Sequence, residues 1–101
     1  MPRFDIYRNP NPRAAHGLYL DVQSDLVSTA TRWCVPMRQP TAATPVMAMA
    51  QQLLNIAAET WLLDTPNILA VPTALLRNPV SRLASDEQLR VEASLDFMLR
   101  G

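Results

Sequence analysis

The chain has 101 residues, about half of them apolar, and nine arginines balance nine acidic residues for a formal net charge of zero. That length supports one domain over residues 1–101 with a single modest core, and the composition is globular rather than disordered. Neutrality argues against a phosphate-backbone binder, and no apolar run nears the ~20 residues of a membrane span.

The N-terminal MPRFDIYR lacks the apolar core of a signal peptide, so the expected compartment is cytoplasmic. The single Cys34 cannot form an internal disulfide, which agrees with a reducing compartment. Every basic residue is arginine. A GC-rich genome accounts for that, as does selection for two-pronged recognition.

Phe4 and Ile6, with the tail of Met1, alternate with Arg3, Asp5 and Tyr7, the pattern of a short half-buried strand. Asn9-Pro10-Asn11-Pro12 then breaks it, and the stretch to Gly17 reads as a mobile polar loop. Leu18, Leu20 and Val22 resume an extended pattern, and the two runs pair most simply as an antiparallel hairpin with a long loop. Residues 28–31 read as a turn and 32–36 as a strand that Pro36 stops. Residues 40–45 form a loop. The 46–54 stretch is ambiguous, since Met and Ala favour helix but the run is short and follows a proline. A bend at 55–58, a strand at 60–63 and a proline turn at 64–67 follow. Residues 68–76 are extended and interrupted by Pro72, which points to an edge or a bulge.

The last element is a helix running to the end of the chain. Ser85 with Gln88 three residues on resembles a capping box, and Asp86 and Glu87 suit the positive end of the helix dipole. At about 100° per residue, Leu89, Ala93 and Phe97 form one apolar stripe, and Val91, Leu95, Met98 and Leu99 form a second nearly opposite. One stripe suffices for a surface helix. Two imply burial on one face and a second partner on the other, either a homodimer copy, for which Val91, Leu95 and Met98 are the candidate residues, or a second internal core.

Catalytic chemistry is hard to find. His16 sits in the proline-rich loop, where a solvated side chain is expected. Cys34 lies in an apolar strand and reads as a small buried thiol. No cluster has metal-ligand spacing, two glycines leave no phosphate-cradling loop, and no cofactor is expected. Asp21 and Asp25 suit a shared helix face rather than a strand face, so Asp25 is expected to cap a turn, a general-acid pair being the alternative. Trp33 and Trp61 read as core or interface residues, with a stacking platform as the alternative.

Five segments then fall into a familiar order: LYLDVQSDLV at 18–27, Cys34-Val35-Pro36, LNIAAETW at 54–61, LAVP at 69–72, and LDFMLRG at 95–101. With them the chain resembles the CcdB family of bacterial toxins. The resemblance implies a mainly β fold with one C-terminal α-helix, the SH3-like barrel of the CcdB/Kid type, in a homodimer. It also implies a non-enzymatic toxin of a type II toxin–antitoxin pair. Such a toxin wedges into the gate of the DNA gyrase A subunit and traps the enzyme with its DNA cleaved. Nucleic acid would be met only through gyrase or the antitoxin, and no membrane is involved. On this reading 46–54 is a loop leading into a strand.

The family's target contacts carry over to Leu26 and Val27, the aliphatic pair after DVQSD, and to Asp96, Leu99, Arg100 and Gly101 at the helix end. Arg100 stands where the family's best-known member carries Trp, and that member's final Ile has no counterpart. A CcdA-like antitoxin wraps the toxin dimer with a disordered segment, and the matching loop offers Arg8, Asn9, Asn11 and Arg13. Two other readings are a homologue that no longer poisons gyrase but keeps an antitoxin-binding or regulatory role, and a ribonuclease of the same fold class. The ribonuclease would need a basic cleft and a positioned acid or base.

Overall fold

The computed structural model describes residues 2–41, 46, 47 and 49–100. Seven strands form one curled sheet: β1 (Asp5–Arg8), β2 (Leu18–Asp21), β3 (Thr31–Arg38), β4 (Gln51–Ile56), β5 (Glu59–Asp64), β6 (Leu69–Pro72) and β7 (Ser81–Arg82). The helix α1 (Ser85–Leu99) follows, so the chain is mainly β with one C-terminal α-helix among the described residues. Two short 3-10 turns, Thr65–Asn67 and Thr73–Leu75, flank β6.

The spatial order is β4-β5-β3-β2-β1-β7, with β6 also on β3. The expected hairpin is present, Ile6 opposite Leu20 and Tyr7 opposite Tyr19. Strand β3 is longer than its sequence indicates, because it runs through Pro36 rather than stopping there. The Val22 N–H donates to Trp33 O at 2.9 Å, which sets the ladder's alternation and makes Tyr19–Pro36 a non-hydrogen-bonded pair. On its other edge β3 pairs with β6 over 31–34 and with β5 over 37–38. Pro36 falls in the gap, where no donor is required.

Burial follows the pleat. Ile6, Leu20 and Val35 meet on one face with Leu54 and Leu63, and α1 closes that face with Val91. Tyr7, Cys34, Val71 and Leu76 form a smaller cluster. Asp5 and Tyr7 are therefore buried as well, and β1 is covered on both faces instead of half-buried. The helix presents Val91, Ser94 and Leu95 inward, while Leu89, Ala93 and Phe97 remain exposed. This corrects the expectation for Val91, which is 0% exposed within its own chain and offers no surface to a partner.

The helix start also differs from its sequence reading. Ala84 is the N-cap, and no side chain caps the helix. Ser85 already occupies the first helical position, and Gln88 reaches one residue further back, donating to Leu83 O at 2.8 Å. Leu83 is buried in the core, which fixes that carbonyl near the helix start.

The ambiguous stretch becomes a turn at 49–50 leading into β4, with Ala48 and residues 42–45 outside the described set. The expected bend narrows to Ala57 and Ala58, both at positive φ, between the paired residues Ile56 and Glu59. The outer edge of β4 is covered by the helix: Asn55 N–H donates to Glu87 Oε2 (3.0 Å) and Arg90 Nη2 donates to Leu53 O (3.0 Å). Charged side chains thus occupy backbone groups that an open edge strand would offer to another chain.

Candidate functional site

The polar string after β2 builds a turn. Val27 N–H donates to Ser24 O at 3.1 Å and Leu26 N–H to Ser24 Oγ at 3.2 Å, closing a β-turn over 24–27. Leu26 sits at its tip, 96% exposed, with Val27 beside it. Beneath the turn, Arg32 donates from Nε and Nη2 to the two carboxylate oxygens of Asp21 at 2.8 and 3.0 Å. The same Nη2 reaches Gln23 O and Asp25 Oδ1. Asp25 also accepts from the Arg3 backbone N–H at 2.8 Å.

Asp21 and Arg32 are both buried. Burial pushes the Asp21 carboxyl upward against the opposing bonds from Arg32 and the Gln23 N–H. The bonds to Asp21 raise the Arg32 guanidinium in turn. Two aligned donors on two carboxylate oxygens is the geometry of an ionised pair. Asp21 is sealed from solvent and bonded to Arg32, and Asp25, although exposed, is held by the Arg3 N–H and Arg32, so the two carboxylates are engaged in closing the turn rather than set as a general-acid pair. Cys34 is equally closed, because burial pushes its thiol up to about 12. Among the described residues no group of His, Cys, Asp and Glu could hold a metal ion.

The second component is the end of α1. Leu95, Met98 and Leu99 line a hollow of about 300 Å³ together with Val22, Trp33 and Ile68. A neighbouring hollow of about 420 Å³ takes in Val22, Val27 and Trp33. The two sequence segments assigned to the target therefore border hollows that share Val22 and Trp33. Trp33, 56% exposed, stands at the centre of this apolar surface. The pleat explains its place: Val22 and Trp33 are adjacent across β2 and β3 on the face that α1 covers only in part. Asp96 and Arg100 are exposed and joined by a 2.8 Å ion pair one helical turn apart. Gly101 lies outside the described residues.

Sequence reasoning missed Gln23 and Arg32. The only available signal for them was their place within and after DVQSD. Trp33 is 56% exposed and so is not a core residue. Of the residues assigned to a homodimer, Leu95 is half-buried against the chain's own core, Val91 is internal, and Met98 faces the hollow.

The 9–17 loop is built from its own asparagines and is not loosely held. Asn9 Nδ2 donates to His16 O (2.9 Å), Asn11 N–H to Asn9 Oδ1 (3.0 Å) and Arg13 N–H to Asn11 Oδ1 (3.1 Å). Asn9 and Asn11 thus shape the loop, while Arg8 and Arg13 are exposed. Arg8 borders a second cleft, about 380 Å³, with Glu59 and Trp61 on its far side. His16, expected in solvent, is instead joined to Asp64.

Among the described residues no helix is long and apolar enough to cross a membrane. The family model described as CcdB protein matches residues 3–101, nearly the whole chain. No match is found among curated proteins.

Proposed function

Since the chain belongs to the CcdB family, and is thereby a toxin of the CcdB type, we propose that it acts by binding the A subunit of DNA gyrase and trapping the enzyme with its DNA cleaved. The observation that carries this reading is the meeting of two distant segments around Trp33. The Leu26–Val27 tip and the Leu99 helix end border one apolar surface, although more than seventy positions separate them in the chain. An apolar surface with a central exposed tryptophan is the kind of patch that binds protein.

A homodimer fits the adjoining Met98 and Ile68 surface at the helix end, a second copy there leaving the Trp33 and 24–27 side open. A CcdA-like antitoxin fits the exposed Arg8 and Arg13, where an acidic, extended segment would meet arginine, with the mixed cleft of Leu18, Trp61 and Glu59 beside Arg8. Asn9 and Asn11 support that site by shaping its backbone.

The test is a cleavage assay with purified protein, gyrase, plasmid and ATP. Accumulated cleaved plasmid supports the reading, and intact plasmid at saturating protein overturns it. One observation favours a homologue that binds antitoxin without poisoning gyrase: the helix end carries the Asp96–Arg100 ion pair in place of a large aromatic wedge. Intact plasmid together with tight antitoxin binding is the result that reading requires.

A further inference from the structure

We propose that Gln23 is the positioning residue of this surface: its side-chain amide buckles the 24–27 turn and so fixes where Leu26 and Val27 stand. The identity of the target rests on the gyrase reading above, whereas the closure of the turn does not. Gln23 Nε2 donates to Val27 O at 2.8 Å and reaches Thr29 Oγ1 at 3.3 Å, while Gln23 Oε1 accepts the Trp33 N–H at 3.0 Å. One amide therefore ties the exit of the turn to the start of β3, beside the tryptophan at the centre of the surface. From below, Arg32 Nη2 holds Gln23 O at 3.2 Å, itself anchored on buried Asp21.

An exposed leucine is ordinary on its own. Here the backbone that carries Leu26 is bound from three sides, while Leu26 itself gains almost no burial. Ordering such a segment costs conformational entropy on folding. The corresponding gain is realised on binding, because a tip already held in place loses less freedom when a partner closes over it. Gln23 also lines the hollow beside Val27 and Trp33, but its side-chain hydrogen bonds are all made within the chain, and it acts through Leu26 and Val27.

The experiment uses the full chain and the purified gyrase A subunit, with wild type, Gln23→Ala, Gln23→Glu, Leu26→Ala and the Gln23→Ala/Leu26→Ala double variant. Gln23→Ala should weaken binding about tenfold. Gln23→Glu keeps an acceptor for the Trp33 N–H but has no donor for Val27 O, so it should weaken binding similarly while Trp33 amide protection is retained. In the Leu26→Ala background the Gln23 change should have a smaller effect than in wild type, the remainder acting through Val27, as expected for a residue acting through its neighbours. Full additivity, or wild-type binding by both Gln23 variants, overturns the proposal.

Amide exchange of the isolated protein supplies the arm that needs no gyrase. The Leu26 and Val27 amides, which donate within the turn, should exchange about tenfold faster in both Gln23 variants while core amides are unchanged. Unchanged exchange in the turn overturns the proposal whatever gyrase does. Absent wild-type binding overturns the functional reading instead, and the exchange result still decides whether Gln23 holds the tip.

Discussion

His16 Nε2 stands 3.0 Å from Oδ2 of Asp64, 48 residues further along the chain. The contact joins the asparagine-built loop to the end of β5. Asp64 is a junction of four segments: it also accepts from Gln51 Nε2 at 3.1 Å and from Asn67 Nδ2 at 2.8 Å. Gln51 in turn accepts the Met47 N–H at 2.9 Å.

This junction sets a pH dependence. Burial pushes the Asp64 carboxyl up, but the bonds from Asn67, Gln51 and His16 outweigh it and hold the group below its ordinary value. A carboxylate depressed in the folded state contributes stability above its unfolded pKa, about 3.9, and that contribution is lost as pH falls through the folded value. Urea midpoints should therefore separate wild type from Asp64→Asn widely at pH 7 and narrowly below about pH 3. A constant gap across that range would contradict the assignment.

Cys34 should behave as a packing residue. Its thiol is buried and pushed up to about 12, so almost no thiolate exists near neutral pH. Native protein should resist iodoacetamide at pH 8 and become fully modified in denaturant. Alkylation at the rate of a free thiol without denaturant is the contrary result.

The β4–β5 turn carries strain. Ala57 and Ala58 hold φ of 51° and 66°, the left-handed region that costs a residue with a Cβ roughly 1–2 kcal/mol. Two-residue hairpin turns with both φ positive favour Asn-Gly. Ala57→Asn combined with Ala58→Gly should raise unfolding free energy by about 1–2 kcal/mol, read from urea denaturation.

The two helix stripes predict opposite sensitivities. Val91→Ala removes two methyl groups from a fully enclosed site and should cost about 1–3 kcal/mol. Leu89, 68% exposed, should tolerate alanine within about 0.5 kcal/mol. Denaturant midpoints for the two variants check the assignment, and equal losses would mean that the helix is rotated.

At the helix end, Arg100→Glu replaces the ion pair with Asp96 by a repulsion worth a few tenths of a kcal/mol, so the fold should persist by circular dichroism. Gyrase engagement should fall several-fold or more, measured as cleaved plasmid against protein concentration. Undiminished poisoning would place the contact elsewhere.

Much of this architecture is legible in the sequence, because alternation and proline spacing mark where strands begin and turn. The long-loop hairpin, the 3-10 turn at Thr65–Asn67, the edge strand ending at Pro72 and the terminal helix are all local signals. What escapes is decided by residues distant in sequence. Pro36 looks like a stop until the gap between β5 and β6 is known, and Asp21 looks like half of a carboxylate pair until Arg32 is folded onto it. Ala57-Ala58 carries no turn signature, since the hairpin's register imposes positive φ on residues that do not favour it. Periodicity finds both helix stripes, but only the sheet decides which is inside. For the site, Leu26, Val27 and Leu99 are named by resemblance, and the place of Trp33 in the hollows lined by Val27 and by Leu99 emerges only from the pleat.

The closed turn at 24–27 also has an evolutionary consequence. Its hydrogen bonds are made by backbone groups and by Gln23, Ser24 and Asp25, so the side chains at 26 and 27 are free to vary without disturbing folding. A library randomised at those two positions should yield mostly folded proteins whose choice of partner drifts. On the gyrase reading proposed above, architecture and target preference would lie in separate letters of the sequence, and a toxin could follow a changing enzyme surface while its core stays the same.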